Sequence, residues 1–371
     1  MRRSAGLSLA EFRDGAYVHD AATDTIHRIG PIAGALLADR DVIDVRDVID
    51  AVATVSRRDH AEVTAEVTAG IDTLRSLGLL DRLEPVWVPG PISGSELDRH
   101  GDPVGVAHVV HDRRLVFRSP DLALLAEIDR YLGDATTVPD TGDGEPVVFD
   151  VVPEPGVGLV LHAAEEWGFP DIDALLIQLP GVVNDFAVRS HTIAILHAGG
   201  VVTPAGQLLL ISGDAESGKS TLVAALVQQG CDYLTDELIG IDPRTGKVLP
   251  FPKPLELDET SCDVLGVIPD HLPNVLASEL RRDVAMVTTP VGPVDAVILP
   301  TYRAGAERET TRLDVEAAAK ALLNQTMNMR RVREPGLRAV CDFAAATPVT
   351  RIVHGDSVAL ADAIISGEVP I

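Results

Sequence analysis

The chain has 371 residues, of which 46% are hydrophobic and 23% charged, an ordinary globular composition long enough for two domains. The formal net charge of −25 repels phosphate groups, so neither nucleic acid nor an anionic membrane is expected as a partner. The three cysteines form no Cys-x-x-Cys pair, and neither a run of about 18 apolar residues nor an apolar signal segment occurs. We therefore expect no disulfide framework, zinc site or membrane span, and predict a cytoplasmic protein.

Residues 1–84 are predicted to form a small domain of their own. Strand-like runs at 15–20 and 25–29 are separated by a turn, which predicts a β-hairpin. Apolar residues then recur at helical spacing in three segments, namely 32–37, 45–52 and 60–77. A strand pair followed by three helices predicts a winged-helix-like α+β domain.

This N-terminal segment resembles the PqqD family, whose small domains recognise leader peptides in ribosomal-peptide biosynthesis. The resemblance rests on Gly15-x-x-x-x-Asp20, on Ile29-Gly30 before Ala33-x-x-Leu36-Leu37, and on Leu74-x-x-Leu77-Gly-Leu-Leu80. It implies that an extended precursor peptide binds along a sheet edge. The alternative is a winged helix without a ligand. DNA binding is not expected, because Arg75 is the one clear cation of the third predicted helix.

A segment rich in proline and glycine at 85–94 predicts a linker into a second domain over 85–371. The residues after the linker are predicted to build the sheet beside a nucleotide-binding loop. Their predicted strands are 108–111, 114–117, 147–152 and 158–161, and their predicted helices are 122–132 and 171–190, the latter interrupted near Pro180. Later elements are a strand at 295–299, a helix at 313–327, an edge strand at 350–353 and a final helix at 357–365.

The most specific motif is Gly-x-x-x-x-Gly-Lys-Ser, which runs from Gly213 to Ser220. It follows an apolar run that predicts a buried strand and precedes a predicted helix, the context of a loop whose amides bind nucleotide phosphates. Lys219 would contact the β- and γ-phosphates, and the Ser220 hydroxyl would coordinate Mg²⁺. We therefore predict ATP and Mg²⁺ as ligands. The predicted binding residues are Gly213, Asp214, Ala215, Glu216, Ser217, Gly218, Lys219, Ser220 and Thr221.

Three further polar residues are expected near this loop. His197 lies one predicted strand and turn before it, and Asp236 and Glu237 follow the predicted helix. The chain then returns as a strand whose carboxyl end carries both acids to the phosphates, where ligands bind in open α/β sheets. Neighbouring residues on a strand point to opposite faces, so the two acids share one site only if the strand ends there.

Residues 192–257 resemble the catalytic core of HPr kinases. The resemblance rests on His197-Ala-Gly-Gly, on the glycine loop, and on Gly230-x-x-x-Leu-Thr-Asp-Glu237. That family has a phosphoenolpyruvate-carboxykinase-like α/β fold and phosphorylates a serine of a protein. The resemblance implies that Asp236 and Glu237 supply a Mg²⁺ contact and the base that takes the serine proton, with His197 orienting that base.

The sequence also departs from that family. Relatives often have two aspartates at the acidic pair and a glycine at the position of Glu216. The roles within the pair stay open, although Asp236, which is also the predicted metal ligand, is expected to be the more essential. No Leu-Glu-x-Arg-Gly-Leu-Gly stretch is present, so dephosphorylation is not predicted.

The combined interpretation is a kinase that moves the γ-phosphoryl group of ATP to a Ser or Thr of a precursor peptide held by the N-terminal domain. The alternatives are a non-catalytic, nucleotide-gated peptide-binding partner and a P-loop ATPase. Lys253, Arg303 and the Arg330-Arg331 pair are further candidates for phosphate contacts. The oligomeric state stays open, a homo-oligomer included.

Overall fold

The computed structural model describes residues 6–12, 15–21, 23–38, 45–56, 58–77, 79–80, 104–111, 113–132, 147–154, 158–162, 166–269 and 272–369. The chain divides into two compact units. The first comprises Met1–Gly90 with Met329–Cys341, and the second Pro91–Asn328 with Asp342–Ile371. Residues 329–341 lie within the predicted second domain but group with the N-terminal residues in the structure. The predicted linker at 85–94 lies outside the described residues.

The first unit contains a three-stranded antiparallel sheet in the order β1-β2-β3. Its elements are β1 (Leu7–Phe12), β2 (Gly15–Asp20), β3 (Thr25–Ile29), α1 (Pro31–Leu37), α2 (Val45–Ser56) and α3 (His60–Ser76). The α3 helix begins where the Asp59 side chain accepts a hydrogen bond from the Ala61 amide. The hairpin and the three helices lie where the sequence places them, whereas β1 was not predicted. The winged-helix assignment stays a prediction.

The second unit begins with a five-stranded sheet in the order β4-β5-β6-β7-β8, in which only β5 and β6 are parallel. Its elements are β4 (Val104–Val110), β5 (Arg113–Ser119), α4 (Leu122–Leu132), β6 (Val147–Glu154), β7 (Gly158–His162), β8 (Glu166–Phe169) and α5 (Ile172–Ser190). The expectation that this segment extends the nucleotide sheet was wrong. The segment forms its own sheet, because its aromatic residues, including the stacked Phe117 and Phe149, build a core with α4 and α5.

The predicted interruption of α5 near Pro180 was also wrong, since the helix continues through that residue. Proline removes one amide donor from a helix. Here the buried side chains of Leu179, Val183 and Phe186 hold the helix against the aromatic core on both sides of the proline. None of the described helices is long and apolar enough to cross a membrane.

The nucleotide loop belongs to a mixed eight-stranded sheet in the order β13-β12-β9-β10-β16-β18-β17, with β11 also pairing with β9. Its strands are β9 (Ala194–Val202), β10 (Leu208–Ser212), β11 (Asp232–Thr235), β12 (Leu238–Ile241), β13 (Val248–Leu249), β16 (Ala296–Tyr302), β17 (Glu309–Arg312) and β18 (Val349–His354). The β10, β16 and β18 strands are parallel and place their carboxyl ends at one edge. The edge assignment for 350–353 was wrong, because β17, whose four residues are all exposed, pairs outside β18.

The other elements of the second unit are α6 (Lys219–Gln228), α7 (Glu259–Leu265), α8 (Ala277–Leu280), α9 (Val315–Asn324) and α11 (Ser357–Ile365), with a small β14–β15 pair (Leu255–Glu256 and Asn274–Val275). The α10 helix (Met329–Ala346) is divided between the units, since its residues up to Cys341 belong to the first. The α6 helix packs directly on β9 at Gly199. A Cβ there would lie 2.5 Å from Cγ2 of the buried Val223. This close approach explains the glycine after His197-Ala and fixes the helix that carries Lys219.

Candidate functional site

The glycine loop connects the end of β10 at Ser212 to the start of α6 at Lys219. Gly218 precedes the helix with a φ of +84°, a left-handed conformation that glycine adopts without strain. The loop is fastened from outside at two points. The Tyr302 amide donates to the Ser217 carbonyl at 3.0 Å, and Gln325 Nε2 donates to Asp214 Oδ1 at 2.8 Å. The N-terminal amides of α6 are thereby held in place beside the cavity.

A cavity of about 700 Å³ opens in front of the loop. Loop residues 214–221 line it, as do His197, Asp236 and Glu237. Gly213 lies on the other side of the loop, where it lines a smaller cavity of about 350 Å³. The structure therefore brings the predicted catalytic, metal-binding and phosphate-binding residues other than Gly213 to one cavity.

The two acids lie between strands rather than within one. The β11 strand ends at Thr235, β12 begins at Leu238, and both pair with β9. Asp236 and Glu237 occupy the bend between them, where the Glu237 carbonyl accepts a hydrogen bond from the Ala198 amide. The strand thus ends at the pair, and both side chains reach the same cavity in different surroundings.

Asp236 is 2% exposed. Its Oδ2 atom accepts a hydrogen bond from the Glu256 amide at 3.2 Å, whereas Oδ1 has no hydrogen-bond partner among the described residues. Burial raises the pKa of Asp236, opposed by the charges of Lys219 and Lys253 and by the Ser220 hydroxyl. A buried carboxylate oxygen without a donor is costly unless a cation approaches it. The unpartnered oxygen of Asp236 is therefore placed to contact a cation.

Glu237 has the opposite surroundings. Its Oε2 atom accepts from Lys253 Nζ at 3.1 Å and from Asn184 Nδ2. Burial acts to raise the pKa of Glu237, but the charge and hydrogen bond of Lys253, with His197 and Lys219, lower it below its ordinary value. The lowered pKa keeps Glu237 ionised at neutral pH. Both contacts use Oε2, which leaves the other carboxylate oxygen, Oε1, for a ligand.

The Lys253 side chain is 1% exposed, and its ammonium also donates to the Pro254 carbonyl at 3.1 Å. Lys253 was considered for a phosphate contact, but in the structure its direct partner is the Glu237 carboxylate. A lysine buried to this extent requires such a partner. Its role here is to hold Glu237 ionised and in one orientation.

His197 lies on β9 opposite Leu238 and is partly buried. Burial lowers the pKa of His197, as does the Lys219 charge, while Glu237 acts in the opposite direction. The imidazole is therefore neutral at pH 7. Among the described residues, no hydrogen bond joins its ring to Asp236 or Glu237, so it contributes to the cavity wall rather than to a relay.

The remaining cationic candidates lie elsewhere. Arg303 is exposed and does not line the cavity. Arg330 lies in the first unit, where it forms an ion pair with Asp24 at 3.3 Å, and Arg331 belongs to the same unit. Sequence reasoning missed Asn184, Tyr302 and Asp356. Nothing in the sequence around them carries a signal, because they reach the site from α5, β16 and the start of α11.

The oxygen atoms of Asp236 and Ser220 fit Mg²⁺, but they are too few to hold a metal ion by protein side chains alone. Among the described residues, no group of three or more His, Cys, Asp or Glu side chains could hold a metal ion. Mg²⁺ is commonly held by one or two carboxylates together with phosphates and water. Asp236, with its unpartnered oxygen, and Ser220 at the start of α6 match that mode.

Glu216 has a φ of +61° in the middle of the loop, a conformation that a residue with a Cβ adopts at a cost. Glu216→Gly is expected to tighten Mg-ATP binding about fivefold, the effect of removing one like charge about 4 Å from a phosphate in water. Titration calorimetry measures this affinity.

Glu216→Gln is the matched control, because it removes the charge and keeps the Cβ. It should tighten ATP binding to the same extent, while the glycine variant, freed of left-handed strain, should unfold at a higher urea concentration than the glutamine variant. Unchanged affinity in both variants would show that this carboxylate points away from the phosphates.

Comparisons with known proteins give little similarity. No model of a known protein family matches the chain, and no curated protein matches it. Among solved structures, the HPr(Ser) kinase/phosphatase from Coxiella burnetii is similar over 47% of this chain and 90% of its own, with 12% sequence identity and a TM-score of 0.27. A similarity this low assigns neither fold nor activity, so function must be inferred from the cavity itself.

Proposed function

We propose that the chain is an ATP- and Mg²⁺-dependent kinase that phosphorylates a Ser or Thr of a precursor peptide captured by its N-terminal domain. The observation that carries this proposal is the pairing of two unlike carboxylates with one phosphate-binding loop. Asp236 is buried with one unpartnered oxygen, and Glu237 is held ionised by Lys253. Phosphoryl transfer requires a metal ligand and a base in such a place.

In this proposal each side chain has one task. The loop amides and Lys219 bind the phosphates, and Asp236 with Ser220 holds Mg²⁺, which supplies positive charge to the transferring group. Glu237 accepts the proton of the acceptor hydroxyl through the oxygen that Lys253 leaves unoccupied. This assignment gives the two acids different roles because their surroundings differ.

Capture of the peptide is proposed for the first unit. Its sheet order leaves β1 and β3 as outer strands among the described residues, and an outer strand can pair with an extended peptide. Tethering a precursor there raises the local concentration of its acceptor residue, so the catalytic cavity need recognise little sequence. The observation that favours catalysis over a nucleotide-gated partner is the ionised Glu237, which a purely binding site does not need.

The experiment incubates the full chain with ATP, Mg²⁺ and a candidate precursor peptide, and measures the peptide mass. A gain of one phosphoryl group is expected. Phosphate release without a change in peptide mass would instead identify an ATPase. Nucleotide-dependent peptide binding without turnover would identify a gated partner.

The pH dependence of phosphoryl transfer should show whether Lys253 lowers the pKa of Glu237. Glu237 has a lowered pKa, so transfer is retained at neutral pH and is lost as pH falls through that lowered value. Lys253→Met removes the strongest group opposing the effect of burial, which raises the pKa of Glu237. The acidic limb of the pH–rate profile should therefore move to higher pH, with activity regained under alkaline conditions. Lys320→Met, at an exposed position of α9, is the control and should keep the original profile. An unmoved acidic limb in Lys253→Met would exclude Glu237 as the base.

A further inference from the structure

The cavity has two chemically distinct ends, separated by the loop. Asp236 and Glu237 directly follow β11, which pairs with β9 on one side of β10. On the other side, Tyr302 ends β16, and the chain leaves β18 through His354, Gly355 and Asp356. The first end carries the groups proposed for phosphoryl transfer, whereas the second end has no role in that chemistry.

Tyr302 is the one Phe, Tyr or Trp residue that lines the cavity among the described residues, and it is 47% exposed. Its position is nevertheless well defined. Its amide is bonded to the Ser217 carbonyl, and its ring packs edge-on against His354 with the ring centroids 5.7 Å apart. A supported aromatic ring that remains open to solvent is suited to stack against another planar group.

Two polar residues belong to this end of the cavity region. Asp356 begins α11, and its Oδ1 atom accepts from the amides of Val358 and Ala359 at 2.8 and 3.0 Å, which leaves Oδ2 without a hydrogen bond among the described residues. His354 is 2% exposed, and neither of its ring nitrogens has a hydrogen-bond partner there. Gly355 and Asp356 line the main cavity and also an adjoining one of about 370 Å³ that His354 lines. Buried polar atoms without partners indicate that a polar ligand completes this end.

We propose that the Tyr302–Asp356 end binds the nucleoside of the nucleotide, which deepens the proposed function and rests on it. The base stacks on Tyr302, and a ribose hydroxyl donates to the free oxygen of Asp356. The phosphates then run along the start of α6, so the γ-phosphate lies at the end with Asp236 and Glu237. Ligands of open α/β sheets lie at the carboxyl ends of the strands, and β16 and β18 supply those ends here.

The test compares Mg-ATP with magnesium tripolyphosphate, which has the phosphates and no nucleoside, by calorimetry on the full chain. The intact chain should bind ATP more tightly than tripolyphosphate. Tyr302→Ala should weaken ATP binding about 5- to 100-fold, the range for losing one aromatic–base stack, and leave tripolyphosphate within about twofold. Tyr302→Phe keeps the ring and should bind ATP as the parent does. The tripolyphosphate affinity also reports whether the loop is intact, because Tyr302 is bonded to it.

Asp356→Asn tests the ribose contact, since asparagine caps a helix as well as aspartate does. The parent should bind ATP several-fold more tightly than 2′,3′-dideoxy-ATP, and this preference should fall in the variant, because an amide is a weaker partner for a hydroxyl than a carboxylate is. Equal losses of ATP and tripolyphosphate in Tyr302→Ala, or unchanged ATP binding, would overturn this proposal while nucleotide binding stands. If the intact chain binds neither ligand, the proposed function fails and the nucleoside site with it.

Discussion

Lys219→Ala is expected to lower the rate of phosphoryl transfer about 10³-fold, the upper range for losing one preorganised donor to the transition state. Lys219 is the first residue of α6, and its charge acts on both Asp236 and Glu237. Without it, the phosphates at the start of the helix face the two acids with only the backbone amides and the proposed Mg²⁺ to balance their charge. Single-turnover transfer from labelled ATP to the precursor peptide measures the effect.

Lys320→Ala is the control for Lys219→Ala, because it makes the same substitution at an exposed position on α9 and should leave the rate unchanged. Precursor binding should persist in Lys219→Ala, since capture is assigned to the first unit. That measurement requires the whole chain, because Met329–Cys341 groups with the N-terminal residues. An equal loss of peptide affinity in Lys219→Ala would contradict the assignment of peptide binding to the first unit and phosphoryl transfer to the second.

Glu237→Gln and Asp236→Asn should both lower the transfer rate by at least about 10²-fold, but for different reasons. Glu237→Gln removes the proton acceptor, so the Mg²⁺ concentration for half-maximal rate should stay unchanged. Asp236→Asn removes a metal ligand, so that concentration should rise, and part of the rate should return at high Mg²⁺. ATP titrated at several Mg²⁺ concentrations separates the two effects.

The stability of the same variants provides a second readout. Asp236 is a buried carboxylate whose burial raises its pKa, so an uncharged amide should be tolerated or stabilising there. Glu237→Gln instead leaves the buried Lys253 without its counter-charge and should be strongly destabilising. A raised Mg²⁺ requirement in Glu237→Gln, with an unchanged one in Asp236→Asn, would show that the roles of the two acids are exchanged.

The amino-acid sequence by itself determined the elements that depend on neighbouring residues. The β2–β3 hairpin and the helices of the first unit follow from short-range periodicity, and so do β10, α6 and the loop between them. The glycine motif was readable for the same reason, because strand, turn and helix are consecutive. The spacing of His197, Asp236 and Glu237 was also sufficient to group them near the loop, since one helix and two turns separate them.

Only the tertiary structure decided how the two acids differ. Glu237 accepts a hydrogen bond from Asn184 of α5, which lies 53 residues earlier in the chain. It also pairs with Lys253, which lies in a proline-rich segment after it. No periodicity links positions so far apart, because these contacts exist only once α5 packs across the strands. Asp236 and Glu237 are adjacent in sequence and similar in chemistry, so their surroundings alone make one a site for a cation and the other an ionised base. Long-range packing sets burial and counter-charge, and these determine what a carboxylate can do.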